Sequence, residues 1–141
     1  MLGIEGVPKN YEEAHTFISG FSIGLDLTDR HLQTELKKKG ILNNQIINSI
    51  ETIPRHLFID PGLSEQAYID KALPIDSNQT ISQPYTVAFQ TQLLNPLPGE
   101  KILEIGTGSG YQTSILSLLT RRVYSIERLK PLLLSLIHIS E

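Results

Sequence analysis

The stretch KILEIGTGSGYQTSILSLLTRRVYSIE, residues 101–127, decides the fold. Its first five residues, Lys101 to Ile105, form a short and mostly apolar run, the pattern of a strand buried on both faces. Gly106, Gly108 and Gly110 then make a turn, and residues 111–120 carry Ile115, Leu116, Leu118 and Leu119 on a helix. Residues 122–127 read as a second strand. Strand, glycine turn, helix and returning strand make a β-α-β unit, the opening of a parallel sheet with a right-handed crossover. Two strands alone cannot bury both faces of such a sheet, so the unit needs further strands.

Upstream, Pro84 suits the first position of a helix running to about Leu94, with Ser82 or Gln83 near its cap. Asn95-Pro96 and Pro98-Gly99 end it. Ahead of it lies a polar loop from Ile75 to Ser82, which reads equally well as a capped helix start or as the lip of an anion pocket. A shorter helix is predicted after Asn43 or Asn44, with Ile46, Ile47 and Ile50 inward and Pro54 as its limit. Before that, Thr28 is placed to cap a helix whose stripe is Leu32 and Leu36 and whose C-terminal glycine is Gly40. Lys37, Lys38 and Lys39 read as its solvated last turn, where the helix dipole favours cations. Residues 1–27 are interrupted by Gly3, Gly6, Pro8, Gly20 and Gly24 and read as an N-terminal extension. Residues 129–141 form a divergent apolar tail, in which LKPLLLSL offers one helical piece.

The 141 residues fit one domain, with enough chain to bury roughly 68–70% of its unfolded surface. Lys and Arg number 12 against 15 Asp and Glu, a net charge of −3 that argues against a dedicated nucleic-acid binder. The absence of cysteine excludes disulfide scaffolds, thiolate zinc sites and thiol nucleophiles. His15, His31, His56 and His138 lack ligand-like spacing, so no metal is expected. No apolar run reaches the ~18–20 residues of a membrane span, and the first residues lack the pattern of a secretion signal. A cytoplasmic protein acting as a monomer is expected.

The glycine turn has the spacing G-x-G-x-G with Glu104 two residues before it, whereas a dehydrogenase fingerprint is G-x-G-x-x-G. By itself such a turn is also a purely structural way to join strand to helix. Glu127 closes the second strand roughly 20 residues later, where an acid can accept hydrogen bonds from a ribose. Its alternative is an ordinary exposed acid.

The spacing around Glu104 resembles motif I of the class I S-adenosyl-L-methionine methyltransferases. QTISQPYTVAFQTQLL followed by KILEIGTGSGYQTSIL and VYSIER resembles, more specifically, the protein-L-isoaspartate (D-aspartate) O-methyltransferase family. GIL, IPRHLFI and AYIDKALPI fall in that family's order as well, and the likeness runs from about Arg30 to Arg128. It implies an α/β fold for residues 28–128: N-terminal helices, then the first β-α-β unit of a Rossmann-like methyltransferase sheet, incomplete at the C-terminus. It also implies Ser82 as the active-site serine, with Thr80, Ile81 and Tyr85 beside the substrate. Ile75, Asp76, Ser77, Asn78, Glu104, Gly106, Gly108, Gly110 and Glu127 would hold S-adenosyl-L-methionine, without a metal.

The activity implied is methyl transfer to the α-carboxyl of L-isoaspartyl residues in damaged proteins or peptides, whose methyl ester closes to a succinimide and partly reopens as normal aspartate. Nucleic acid and membrane are not expected as partners. Two departures stand out. Asp76-Ser77-Asn78-Gln79 replaces a loop that often reads G-x-G-Q, and after Arg128 the likeness fades although such proteins continue with further strands and helices. Two other readings stay open: a non-catalytic fragment of this fold, and a small-molecule methyltransferase. The motif TISQP weighs against the second. Without adenine-side strands, residues 1–141 by themselves are expected to bind S-adenosyl-L-methionine weakly or not at all.

Overall fold

The computed structural model describes residues 31–139, with side chains to residue 134. The extension at 1–27 and the Thr28 cap lie outside the described residues. Helix α1 occupies residues 31–38 and buries Leu32 and Leu36. It ends in a Schellman motif, with the Gly40 N–H bonded to Lys37 C=O and the Ile41 N–H to Leu36 C=O, both 3.0 Å. Gly40 has a φ of 89°, which a residue with a Cβ adopts only under strain. Helix α2, Asn44–Thr52, starts where the Asn43 side chain accepts the Gln45 N–H. It buries Ile46, Ile47 and Ile50 as their spacing predicts, and the chain then leaves the helix ahead of Pro54.

Two 3₁₀ turns follow, Arg55–Phe58 and Pro61–Gln66. Arg55 is fully buried between them: its Nε donates to the Ala67 carbonyl at 2.8 Å, and its guanidinium lies 4.9 Å from the centre of the Tyr111 ring. Burial pulls its pKa below the ordinary value, with Tyr111 acting in the opposite direction. His56 bonds Tyr68 at 2.8 Å, in keeping with a packing role.

The polar segment that the sequence leaves as a loop is a hairpin. Strands β1, Leu73–Ile75, and β2, Gln79–Ile81, pair antiparallel with Leu73 opposite Ile81. Strands of three residues are too short to show alternation, so they escape a search for period-two patterning. The turn between them places Ser77 and Asn78 at φ 60° and 56°, the left-handed conformations of a type I′ turn. Asn tolerates that region well and Ser less so, yet the turn closes without either glycine.

Helix α3, Pro84–Leu94, ends at Asn95 in a left-handed conformation. Strand β3, Lys101–Ile105, helix α4, Tyr111–Leu119, and strand β4, Arg122–Ile126, form the expected parallel unit, with Ile102 opposite Val123 and Leu103 opposite Tyr124. Helix α4 lies on the Ile102 and Glu104 face, where Thr113 donates to the Glu104 carboxylate. The other face carries Leu103, Ile105, Tyr124 and Ile126, all exposed. The expectation of a strand buried on both faces therefore holds on one side only, because no described element covers the other. Helix α5, Lys130–Ile139, realises the helical piece foreseen in the tail, with Leu132 buried. Among the described residues an apolar core joins α1 to α4 through Leu36, Ile47, Ala67, Val87, Tyr111 and Ile115.

Candidate active site

A cavity of about 240 Å³ opens between the end of the hairpin and the glycine turn. Thr80, Ile81 and Ser82 form one wall, and Glu104, Gly106, Thr107 and Gly108 form the other. Val87 and Gln90 of α3 and Tyr111 and Gln112 of α4 complete it. Ser82 thus shares one cavity with the glycine bend.

Ser82 reaches this place because both ends of its segment are held. Strand β2 fixes Ile81 against Leu73. On the other side, the Asp70 carboxylate accepts the Tyr85 N–H at 2.8 Å and so caps α3 from 15 residues away. Gln83 occupies the position before the helix but makes no side-chain capping bond. Asp70 is in turn paired with Lys39, whose ammonium sits 5.2 Å from the Tyr85 ring centre. That bond raises the Lys39 pKa above its ordinary value. Lys37, Lys38 and Lys39 are all exposed, as a solvated helix end requires, and Lys39 in addition reaches a carboxylate 31 residues on. Tyr85 packs under Lys39 and stacks on Phe89 at 5.7 Å, outside the cavity lining.

The opposite wall is shaped by backbone. Gly106 and Gly108 take φ of 90° and 58°. A Cβ at Gly106 would meet no atom within 4 Å, so its requirement is conformational and it leaves an open cradle. At Gly108 the Ile75 side chain stands 3.6 Å from where a Cβ would be. Gly110 is buried at the start of α4 with φ 84° and does not line the cavity.

The two acids differ. Glu104 accepts hydrogen bonds from Thr113 and, at 2.5 Å, from Ser125, which also bonds Thr107 at 2.6 Å. These bonds tie β3, β4, α4 and the turn together. Glu127 leaves the end of β4, where its two oxygens accept the Leu129 N–H at 2.8 Å and the Gly108 N–H at 2.9 Å. Those bonds hold its carboxyl below the usual carboxylate range, Leu129 contributing most and Gly108 next.

The remaining residues foreseen for the cofactor are divided. Ile75 and Asp76 line a second cavity, of about 490 Å³, with Phe58, Ser109 and Leu132. Ser77 and Asn78 sit at the exposed hairpin turn, in neither lining. Sequence reasoning missed Gln90, Gln112 and Asp70. Gln112 follows the turn directly and donates to Thr91 at 2.9 Å, and its place two residues after the last glycine was the available signal. Asp70 offered no local signal at all. No cluster of three metal-binding side chains occurs among the described residues.

A parallel β-α-β unit with a glycine turn and an acid at the end of its second strand defines a Rossmann-like methyltransferase fold. The family model for protein-L-isoaspartate(D-aspartate) O-methyltransferase matches residues 27–137, and the chain belongs to that family. It is 56% identical over 103 residues to a protein-L-isoaspartate O-methyltransferase of Christiangramia forsetii, covering 73% of this chain and 48% of the relative. It is 57% identical over 97 residues to one of Flavobacterium psychrophilum, covering 69% and 46%. A crystal structure assigned to this enzyme from Plasmodium falciparum, in complex with S-adenosyl-L-homocysteine, is similar with a TM-score of 0.65 and 28% identity over 77% of this chain and 52% of that one. The chain spans about half the length of the curated relatives it matches.

Proposed function

We propose that this chain contributes the serine-bearing half of a repair methyltransferase acting on L-isoaspartyl residues of damaged proteins in the cytoplasm. The observation that carries the reading is the common cavity of Ser82 and the Gly106–Gly108 bend. When bound, S-adenosyl-L-methionine supplies a methyl group on a sulfonium, an activated leaving group. The open cradle at Gly106 and the cavity of about 240 Å³ suit its amino-acid portion. Glu127 suits a ribose: its carboxylate has about four acceptor sites, and its backbone bonds leave at least one of them for a hydroxyl.

The substrate carboxyl, with a pKa near ~3.3–3.7, is already ionised at neutral pH, so no strong base is needed. Ser82 donates its hydroxyl hydrogen to that carboxylate and holds it beside the bend. Alignment of this sort is worth up to ~7–11 kcal/mol of the barrier. Thr80 and Ile81 flank the incoming peptide, and Asp70 keeps the segment in place through Tyr85.

The test is transfer of a labelled methyl group to a matched pair of peptides, one with L-isoaspartate and one with aspartate. It is run with the 141-residue chain alone and with the half of the Christiangramia forsetii relative that this chain does not match. Label in the isoaspartyl peptide only is expected, and Ser82→Ala should lower turnover while cofactor affinity changes little. Equal labelling of both peptides, or no transfer in either arrangement, would overturn the substrate; full turnover in Ser82→Ala would overturn its role.

A further inference from the structure

Arg55 carries a positive charge with none of its surface in contact with solvent. Its Nε donates to the Ala67 carbonyl at 2.8 Å, whereas Nη1 and Nη2 are buried and make no hydrogen bond. No carboxylate pairs with it among the described residues. Asp70, whose charge also favours the guanidinium, is bonded to Lys39 and to the Tyr85 N–H instead. Such a charge is expensive to bury, because removal from water is repaid only by pairing or by hydrogen bonds. An arginine keeps its charge all the same. What faces it is the Tyr111 ring, whose centre lies 4.9 Å from the guanidinium carbon. Phe58 packs edge-on against the same ring at 5.4 Å, so Tyr111 is held from two sides.

Tyr111 also lines the cavity that holds Ser82. Only one lining residue of that cavity is charged, and it is an acid, Glu104. A carboxylate entering beside Ser82 therefore meets a negative charge in the lining and no cation. The cation packed against the lining is Arg55, on the Tyr111 ring. We propose that Arg55 is a positioning residue for the substrate carboxylate. From behind Tyr111 it supplies the fixed positive charge that draws the anion to Ser82 and favours it over a neutral group of the same shape. In a low-dielectric interior a charge acts across an aromatic ring without touching the anion, and salt screens it little. The missing hydrogen bonds that make Arg55 costly to the fold also leave its charge unneutralised. This inference rests on the proposed reading of the Ser82 cavity and adds to it a selectivity for the ionised carboxyl.

The experiment titrates two peptides of one sequence into the 141-residue chain by calorimetry, with no methyl donor present. One peptide carries the α-carboxylate of L-isoaspartate and the other its α-carboxamide. The parent chain is expected to bind the acid about tenfold more tightly than the amide. Arg55→Gln puts an amide nitrogen where arginine has Nε, so the bond to Ala67 is kept while the charge is lost. That variant should lose most of the preference, and Arg55→Lys, which keeps a charge, should retain it. A purely structural Arg55 predicts the opposite order, with Gln like the parent and Lys the poorer of the two. A parent without the preference, or a Gln variant that keeps it, overturns the proposal. Should Arg55→Gln lose cooperative unfolding, the parent decides by itself. With isotope-labelled arginine, its Arg55 Nε–H resonance should move on adding the acid and stay on adding the amide, and any other response overturns the proposal. Methyl transfer enters none of these readouts. Acid preference without transfer would sink the reaction and spare Arg55, whereas transfer with an indifferent Arg55→Gln would do the reverse.

Discussion

The helical layer from α1 to α3 and the β3–α4–β4 unit are built from similar proportions of apolar residues, yet they stand in different states of completion. In the helical layer, Leu36, Ile41, Ile46, Ile47 and Ala88 are sealed, and the ends of α1 and α3 are tied by Gln92, which bonds Gly40 and Leu42. In the parallel unit, seven of the ten strand residues are exposed. Hydrophobic composition therefore does not say whether a segment is closed; the number of layers stacked on it does.

The largest effect comes from opening the closed region. Ile47→Ala should cost about 2–5 kcal/mol in denaturant unfolding, the penalty of a cavity with no room to collapse. Gly108→Ala touches the turn between the regions. Ile75 leaves ordinary contact distance for the methyl, so only the left-handed backbone opposes it, at about 1–2 kcal/mol. Asp70→Ala removes the distant cap of α3 and should cost about 1 kcal/mol, with faster amide exchange at Tyr85.

Glu127→Gln sharpens the comparison through pH. Because the folded carboxyl is held below its unfolded value of about 4.3, its stabilising contribution is complete above that pH and disappears as pH falls through the lower, folded value. The gap in melting temperature between parent and variant should be constant from about pH 7 to 5.5 and close below about pH 4. Leu103→Ser, on the bare face, should shift the stability of this chain by no more than about 0.5 kcal/mol. A loss as large as that of Ile47→Ala would show the sheet closed after all.

Much of this arrangement was legible in the residues. The β-α-β unit, α2 and α3 announce themselves through apolar spacing, Asn43, Pro84 and the glycines, all of which act within a few residues. Ser82 and the bend line one cavity, and in the sequence only the family likeness linked them. What stayed hidden depends on distant partners. Asp70 acts on Tyr85 and Lys39 only once three elements have met, and Ile75 and Asp76 open on the far side of the turn because the hairpin folds over Gly108. The hairpin itself was disguised by Pro74 and by a turn that uses Ser77 and Asn78 in place of glycine.

Among the described residues β3 pairs with β4 alone, and its other edge has a practical side. A strand that offers unpaired amides beside a greasy surface is a template for its own kind, and Lys101 and Arg122 guard only one end of it. A preparation of these 141 residues is therefore expected to scatter light at a lower concentration than its net charge of −3 would set. Aspartate at Leu103 should keep it clear.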